Sequence, residues 1–356
     1  MIQIPGHEPI QPGTTRLVLE AGPCNNSLGY AKDAVEAAAA TGAWGFKAQL
    51  YQADTIAADD AKRYDKTTGA GVWQREVFAN ALSYDQWYEV KQTADRAGIL
   101  WFATPFDLHA VDVLTEMDVQ LYKIASGDIT NKPLIEHVAA TGKPIVLSTG
   151  AAEVSEVRDA LTWIHAVNPF TNIIILVCTL SYPCADSDAH LNRIRTWKDA
   201  GQWNVGYSDH TRGIDAPLIA HQLGAVMVEK HFTLQKGQGY DSDFAVDAGD
   251  VTDIVNLMGR TYTNHPMMGL SDLGPIPSEQ DARIGARRSI HAARDIQVGE
   301  FLTADDFIML RPGIGVPPFH VDDLVGRRAH RRFKVGERLS WRDINPPRAT
   351  AVLSVT

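Results

Sequence analysis

The chain has 356 residues, 45% hydrophobic and 21% charged, and a formal net charge of −10 from 33 basic and 43 acidic side chains. That composition suits one large folded unit with room for a small second one, and excludes a disordered chain, a collagen-like chain and a coiled coil. The acidic balance argues against a nucleic-acid or membrane-surface partner, so a few placed cations must hold any anionic ligand.

In chain order, a first strand is predicted at Arg16–Gly22, followed by an Ala-rich helix at Tyr30–Thr41. Gly42 then opens the strand in GFKAQ, and Ser83 with Gln86 forms a capping-box pattern ahead of a helix at Tyr84–Ala97. The strand ILWFATPF follows Gly98, then a helix at Ala110–Glu116, a strand at Val119–Ile124 and a helix at Pro133–Thr141. After Gly142 comes Ile145–Leu147, then a helix at Glu153–Val167 and a strand at Ile173–Val177. The runs NVGYSDH after Gly201 and VMVEKHFT after Gly224 give two more strands, with helices at Ile214–Leu223 and Val251–Thr261.

Glycine recurs where a left-handed residue would end each helix. The strands are apolar on successive residues, as parallel strands buried on both faces must be. Eight strand–helix units in about 250 residues predict a (β/α)8 TIM barrel. A doubly wound sheet fits less well, because no GxGxxG turn follows the first strand.

The pattern changes near Gly274. Residues 1–274 are read as the barrel and 275–286 as a linker. Residues 287–346 are read as a small β-rich domain, with strands at Ser289–Ile296, Gly299–Leu302, Phe307–Arg311 and on toward Ile344; residues 347–356 form a tail. Three cysteines, Cys24, Cys178 and Cys184, make no disulfide framework and point to a reducing cytoplasm. The opening MIQIPGHEPIQPG does not read as a secretory signal, and Ile173–Val177, the longest aliphatic run, is too short for a bilayer.

Barrels place their chemistry at the C-terminal ends of the strands. Those ends carry Glu20, Lys47 and Gln49, Thr104 and Phe106, Lys123 and Ser126, Ser148 and Thr149, Cys178 and Tyr182, Ser208 and His210, and Glu229 and His231. Side chains two apart share a face, so Lys47/Gln49, Ser208/His210 and Glu229/His231 can each point inward together. Barrel closure brings Glu20 beside His210 and His231, a donor set suited to a divalent Mn- or Mg-like ion. The bland alternative is two hydrogen-bonded interior histidines. Lys47 and Lys123, with Ser126, Ser148 and Ser208, form a cationic sector that a phosphate would fill. The alternative there is internal pairing with Asp107 or Asp128. A Ser208–Asp209–His210 triad is set aside, since neighbours on a strand face opposite ways and no nucleophile elbow is present.

At these residues the chain resembles the sialic acid synthase family. The resemblance rests on Phe46-Lys47-Ala48-Gln49, Ala103-Thr104-Pro105-Phe106, Tyr122-Lys123-Ile124-Ala125-Ser126-Gly127, Leu147-Ser148-Thr149-Gly150, Gly206-Tyr207-Ser208-Asp209-His210-Thr211 and Glu229-Lys230-His231-Phe232-Thr233. Arg288-Ser289-Ile290 and Arg311-Pro312-Gly313 resemble the family's antifreeze-like (SAF, β-clip) domain. The resemblance implies condensation of phosphoenolpyruvate with an N-acetylmannosamine-type sugar, releasing phosphate by C–O cleavage. It implies a divalent metal on His210 and His231, Mn2+ first and Mg2+ or Co2+ as alternatives. Phosphoenolpyruvate would be held by Lys47, Thr104, Lys123, Ser126, Ser148 and Ser208. The sugar would meet Glu20, Gln49, Phe106, Tyr182, Asp241 and Arg311, with Glu20 or Glu229 moving a proton. Arg311 would come from the partner of a domain-swapped homodimer. Departures from the family pattern are Cys24-Asn25 after Gly22-Pro23, Asp128 for Glu, Val177 for His, Leu180 for Asn, and Gly239-Tyr240-Asp241 for Gly-Pro-Asp. Two other readings are a phospho-aldulosonate synthase, which needs a second basic cluster, and a catalytically silent sugar-binding scaffold.

Overall fold

The computed structural model describes the chain apart from residues 23–26, 63–72, 202, 239–240, 259–266, 268, 270–271 and 345–356. Cys24, Asn25, Gly239, Tyr240, the expected helix end at Thr261 and the tail 347–356 therefore lie outside the described residues.

A hairpin not anticipated from the sequence comes first: β1 (Ile2–Ile4) pairs antiparallel with β2 (His7–Ile10). Eight parallel strands follow: β3 (Arg16–Glu20), β4 (Gly45–Leu50), β5 (Leu100–Pro105), β6 (Tyr122–Ile124), β7 (Ile145–Ser148), β8 (Ile173–Cys178), β9 (Asn204–Asp209) and β10 (Met227–His231). They close in sequence order, with β10 hydrogen-bonded to β3, into the expected barrel. Helices cover the outside; Ser83 and Gln86 form the predicted capping box and Gly98 ends that helix at φ 73°. The helix Arg193–Asp199 was not legible, being one short polar stretch with Ile194 and Trp197 as its apolar anchors.

Period-two alternation sorts each strand between two cores. Leu19, Phe46, Trp101, Tyr122, Leu147 and Ile175 pack outward against the helices. Val18, Phe102, Leu121, Val146, Leu176 and Met227 fill the interior, where Ile2, Ile4 and Ile10 of the hairpin close the floor. Two residues beyond these interior positions the same face turns polar: Glu20 follows Val18, Lys123 follows Leu121, Ser148 follows Val146 and Glu229 follows Met227. Apolar floor and polar mouth thus share one set of strands.

The C-terminal domain has its own core of Ile290, Ile296, Leu302, Val316, Leu324, Phe333 and Leu339. Its strands are shorter than expected. Only β11 (Ser289–Ala292) and β12 (Phe307–Leu310) pair continuously, while Ile296, Phe301 and His291 make single bridges to Phe333, Arg328 and Arg338. Gly299, Gly326 and Gly336 turn with positive φ and interrupt the ladders, and Trp341–Ile344 is a helical turn.

Charge holds this domain on the barrel. The buried Arg288 donates to Asp128 Oδ1 at 2.6 Å and to the carbonyls of Thr55, Met309 and Phe106. Arg283 of the linker and Arg287, which opens the C-terminal domain, pair with Glu156 on the helix Val154–Val167. Burial pushes the Glu156 carboxyl up, but Arg287 and Arg283 more than offset it and hold it below the ordinary 4.5. A carboxyl lowered on folding stabilises above its unfolded pKa and loses that contribution as pH falls through the folded value. The melting-temperature advantage of the native chain over Glu156→Gln should therefore be constant above about pH 5.5 and shrink below about 4.5. A thermal-melt series across pH checks this.

Candidate active site

Strand register assembles the mouth. Glu20 sits opposite His231 on one side and Lys47 on the other, Gln49 is opposite Thr104, and Ser208 lies between Cys178 and Glu229. Glu20, Lys47, Thr104, Lys123, Ser126, Ser148, Ser208, His210, Glu229 and His231 are all buried, yet all line one cavity of about 920 Å³ including its open mouth. Every residue assigned to the site from the sequence, including Gln49, Phe106, Tyr182, Asp241 and Arg311, lines this cavity.

The two lysines find carboxylate partners, though not the aspartates considered from sequence. Lys47 donates to Glu20 at 2.6 Å and to Thr104 at 3.2 Å, and lies 3.9 Å from Glu229. Lys123 and Ser208 both donate to Glu229 Oε1, at 3.0 and 2.9 Å. Asp107 instead caps the helix Leu108–Glu116, and Asp128 takes Arg288. The strand-end glutamates are nearer because they share the barrel interior. Burial alone pushes the Glu20 carboxyl up, but Lys47, His231 and Lys123 outweigh it and hold it well below the carboxylate range. Lys47 is likewise penalised by burial, yet Glu20 and Glu229 raise it above its ordinary value.

The histidine rings face each other with centroids 5.4 Å apart. His210 Nδ1 donates to the Thr179 carbonyl at 2.7 Å, which leaves its Nε2 lone pair toward the cavity. Burial, reinforced by His231, pushes His210 down to about 4, so it is neutral near pH 7. His231 lies 3.6 Å from Glu20 Oε2 and 3.2 Å from Asp241 Oδ2. Burial opposes its protonation, but these carboxylates raise it overall. Among the described residues no three His, Cys, Asp or Glu side chains gather around one point. The imidazole pair nevertheless fits a divalent ion that completes its shell with water or ligand oxygens. Cys178 and Cys184 are buried thiols pushed up to about 12 and above, chiefly by burial, and are poor thiolate ligands.

Opposite lies a wall not read from the sequence. The segment after β4 contributes Ile56, Gln74, Val77 and Phe78, from the short helices Ala53–Ile56 and Gln74–Phe78. Arg311 descends from the C-terminal domain, 5.8 Å over Phe78 and 5.5 Å over Phe106, and donates to Gln74 at 3.3 Å. It enters the cavity of its own chain. The linker folds back as the helix Gln280–Ala286, and its Ala286 carbonyl packs where a Cβ on Gly127 would stand.

Three buried polar atoms on the cavity residues have no hydrogen-bond partner among the described residues: Ser148 Oγ, Glu229 Oε2 and Arg311 Nε.

Fold and cavity together define a TIM-barrel protein with a mouth lined by lysines, hydroxyls and carboxylates and roofed by a SAF domain. The chain belongs to the NeuB family, which it matches over residues 34–265, and its residues 287–345 match the SAF domain. It is 33% identical over 343 residues to the N,N'-diacetyllegionaminic acid synthase of Legionella pneumophila, covering 93% of this chain and 95% of that one. It is 31% identical to the pseudaminic acid synthase of Helicobacter pylori, covering 90% and 94%. The crystal structure of the spore coat polysaccharide biosynthesis protein SpsE from Bacillus subtilis superposes with a TM-score of 0.82 at 27% identity, covering 96% of this chain and 98% of that one.

A lysine about 4 Å from an anion contributes on the order of 4 kcal/mol of raw attraction at an effective dielectric near 20. Lys47→Met should lower affinity for inorganic phosphate at least tenfold by calorimetry, and lower the melting temperature by stranding the Glu20 charge. Adding Glu20→Gln should restore the melting temperature without restoring phosphate affinity.

Proposed function

We propose that this chain is a nonulosonic acid synthase, condensing phosphoenolpyruvate with an N-acylated, mannosamine-type sugar and releasing phosphate by C–O cleavage. The observation that supports the reading is a pair of buried lysines, Lys47 and Lys123, lining one cavity with Ser126, Ser148 and Ser208 and neutralised among the described residues by Glu20 and Glu229. The synthase names of two relatives aligned over nearly the whole chain support it.

In this reading Lys47 and Lys123, with Thr104, Ser126, Ser148 and Ser208, hold the phosphate and carboxylate of phosphoenolpyruvate. Its negative charge competes for both lysines. Burial then weighs more heavily on Glu20 and Glu229, which become stronger bases. C3 of phosphoenolpyruvate attacks the aldehyde carbon, and the alkoxide that forms beside Gln49 and His231 takes up, through Glu20, the proton that Glu229 removes from water. Glu229 takes a proton from the water that adds at C2, and the tetrahedral centre expels phosphate. A divalent cation on His210 and His231, Mn2+ by preference with Mg2+ or Co2+ as substitutes, supplies Lewis acidity at the aldehyde oxygen when bound.

Tyr182 and Asp241 border the sugar side with Gln49. Arg311 between two aromatic rings offers one donor set beside an apolar surface, which suits an N-acyl group better than a second phosphate. That favours an unphosphorylated acceptor over the phospho-aldulosonate alternative. Since phosphoenolpyruvate is an intracellular metabolite, the reaction belongs in the cytoplasm; among the described residues no helix is long and apolar enough to cross a membrane.

The test is phosphate release from phosphoenolpyruvate with Mn2+ across a panel of unphosphorylated N-acylated amino sugars. One sugar should support release, EDTA should abolish it, and His210→Ala should abolish it at nearly unchanged melting temperature. Phosphoenolpyruvate binding without release on any sugar would favour the silent scaffold.

A second measurement addresses the subunits. Arg311→Ala and Lys123→Ala chains, each inactive, should remain inactive when denatured and refolded together if each SAF domain serves its own barrel. Recovery toward a quarter of native activity would show that a homodimer exchanges these domains.

A further inference from the structure

Glu279 belongs to none of the roles above, yet it is fully buried. It ends the short helix Pro277–Glu279 in the linker and precedes the helix Gln280–Ala286. Its Oε1 accepts from the Ala151 N–H at 2.7 Å and the Leu180 N–H at 2.9 Å, while Oε2 accepts from the Ile276 N–H at 2.9 Å. One carboxylate from outside the barrel thus joins the loop after β7 to the loop after β8.

The loop after β7 needs such support. Ala151 stands in the left-handed region at φ 55°, which is strained for a residue with a Cβ. Its N–H is held by Glu279 and its carbonyl by Arg283 and Arg287, so linker side chains grip both polar groups of the residue. One residue earlier, the Gly150 N–H donates to Ser126 Oγ at 2.9 Å. A Cβ on Gly150 would lie 2.9 Å from Ser126 Oγ, 3.1 Å from Cys178 Sγ and 3.2 Å from the Leu180 Cβ, so no slack separates these loops. By accepting from Gly150, the Ser126 oxygen is fixed within the anion sector. Two residues before Gly150 lies Ser148, another member of that sector.

We infer that Glu279 is a positioning residue for the anion half of the site. Through Ala151 and Leu180 it fixes the spacing of the two loops, and through Gly150 it aims Ser126, so that a linker contact sets affinity for the phosphoenolpyruvate phosphate. This rests on the synthase reading for its ligand; the mechanical link does not.

Two variants of the full-length chain test it. Glu279→Ala removes all three hydrogen bonds, whereas Glu279→Gln keeps a carbonyl that can accept from Ala151 and Leu180. Hydrogen exchange read by mass spectrometry should show Glu279→Ala losing protection at least tenfold in segments 149–152 and 179–182. The floor segment 2–10 should be unchanged. The KM for phosphoenolpyruvate should rise at least tenfold with the sugar KM within twofold, and Glu279→Gln should recover most of that rise. Unchanged exchange in both segments overturns the inference. So does a lowered melting temperature accompanied by equal changes in both KM values, or by no recovery in Glu279→Gln. If native protein releases no phosphate with any sugar, the synthase reading fails, and the exchange result still decides whether Glu279 joins the loops.

Discussion

Buried charge at the barrel mouth is the constraint on which the rest of the structure turns. Lys47, Lys123, Glu20 and Glu229 share a space almost closed to water, where any one of them alone would carry a heavy desolvation cost. Each survives by leaning on the others. The network's cationic half is therefore neutralised from within until a ligand competes for it. Under the proposed function the mouth would act as an exchanger, releasing a lysine to an incoming anion only by leaving a glutamate less satisfied. Binding of one substrate would then be coupled to the basicity needed for the next step.

Much of this was legible before the fold was seen, for a simple geometric reason. A barrel strand places alternate residues inward, so Lys47, Ser148, Ser208, His210, Glu229 and His231 could be assigned to one interior from parity alone. The partners of the lysines were not legible, because Asp107 and Asp128 are close in sequence to strand ends whereas Glu20 and Glu229 are close in register. Register across closure is a property of the whole barrel. The wall formed by Gln74 and Phe78 was hidden differently, since short helices in a long loop carry no periodicity strong enough to read. The C-terminal strands were overestimated because alternating apolar residues continue through turns that the glycines impose.

Arg288, Arg287 and Arg283 show how directional bonds help keep the roof in place. Their guanidinium groups spread over several carbonyls and two carboxylates, which fixes direction as well as distance. A roof held by directional bonds delivers Arg311 at a defined height over Phe106 and Phe78. The same linker segment carries Glu279, so the piece of chain that orients the roof also touches the loops beneath it. Acceptor side and anion side are thereby tied to a common strut.

The floor has a consequence for how the molecule is made. Ile2, Ile4 and Ile10 pack against Val18 and Phe102, but also against Val226 and Met227, which arrive more than two hundred residues later. The hairpin precedes the last strand by so much chain that it has no finished seat until nearly the whole barrel exists. Its three isoleucines remain without their final cover throughout that interval. Docking of the hairpin is in effect a sign that the ring has closed.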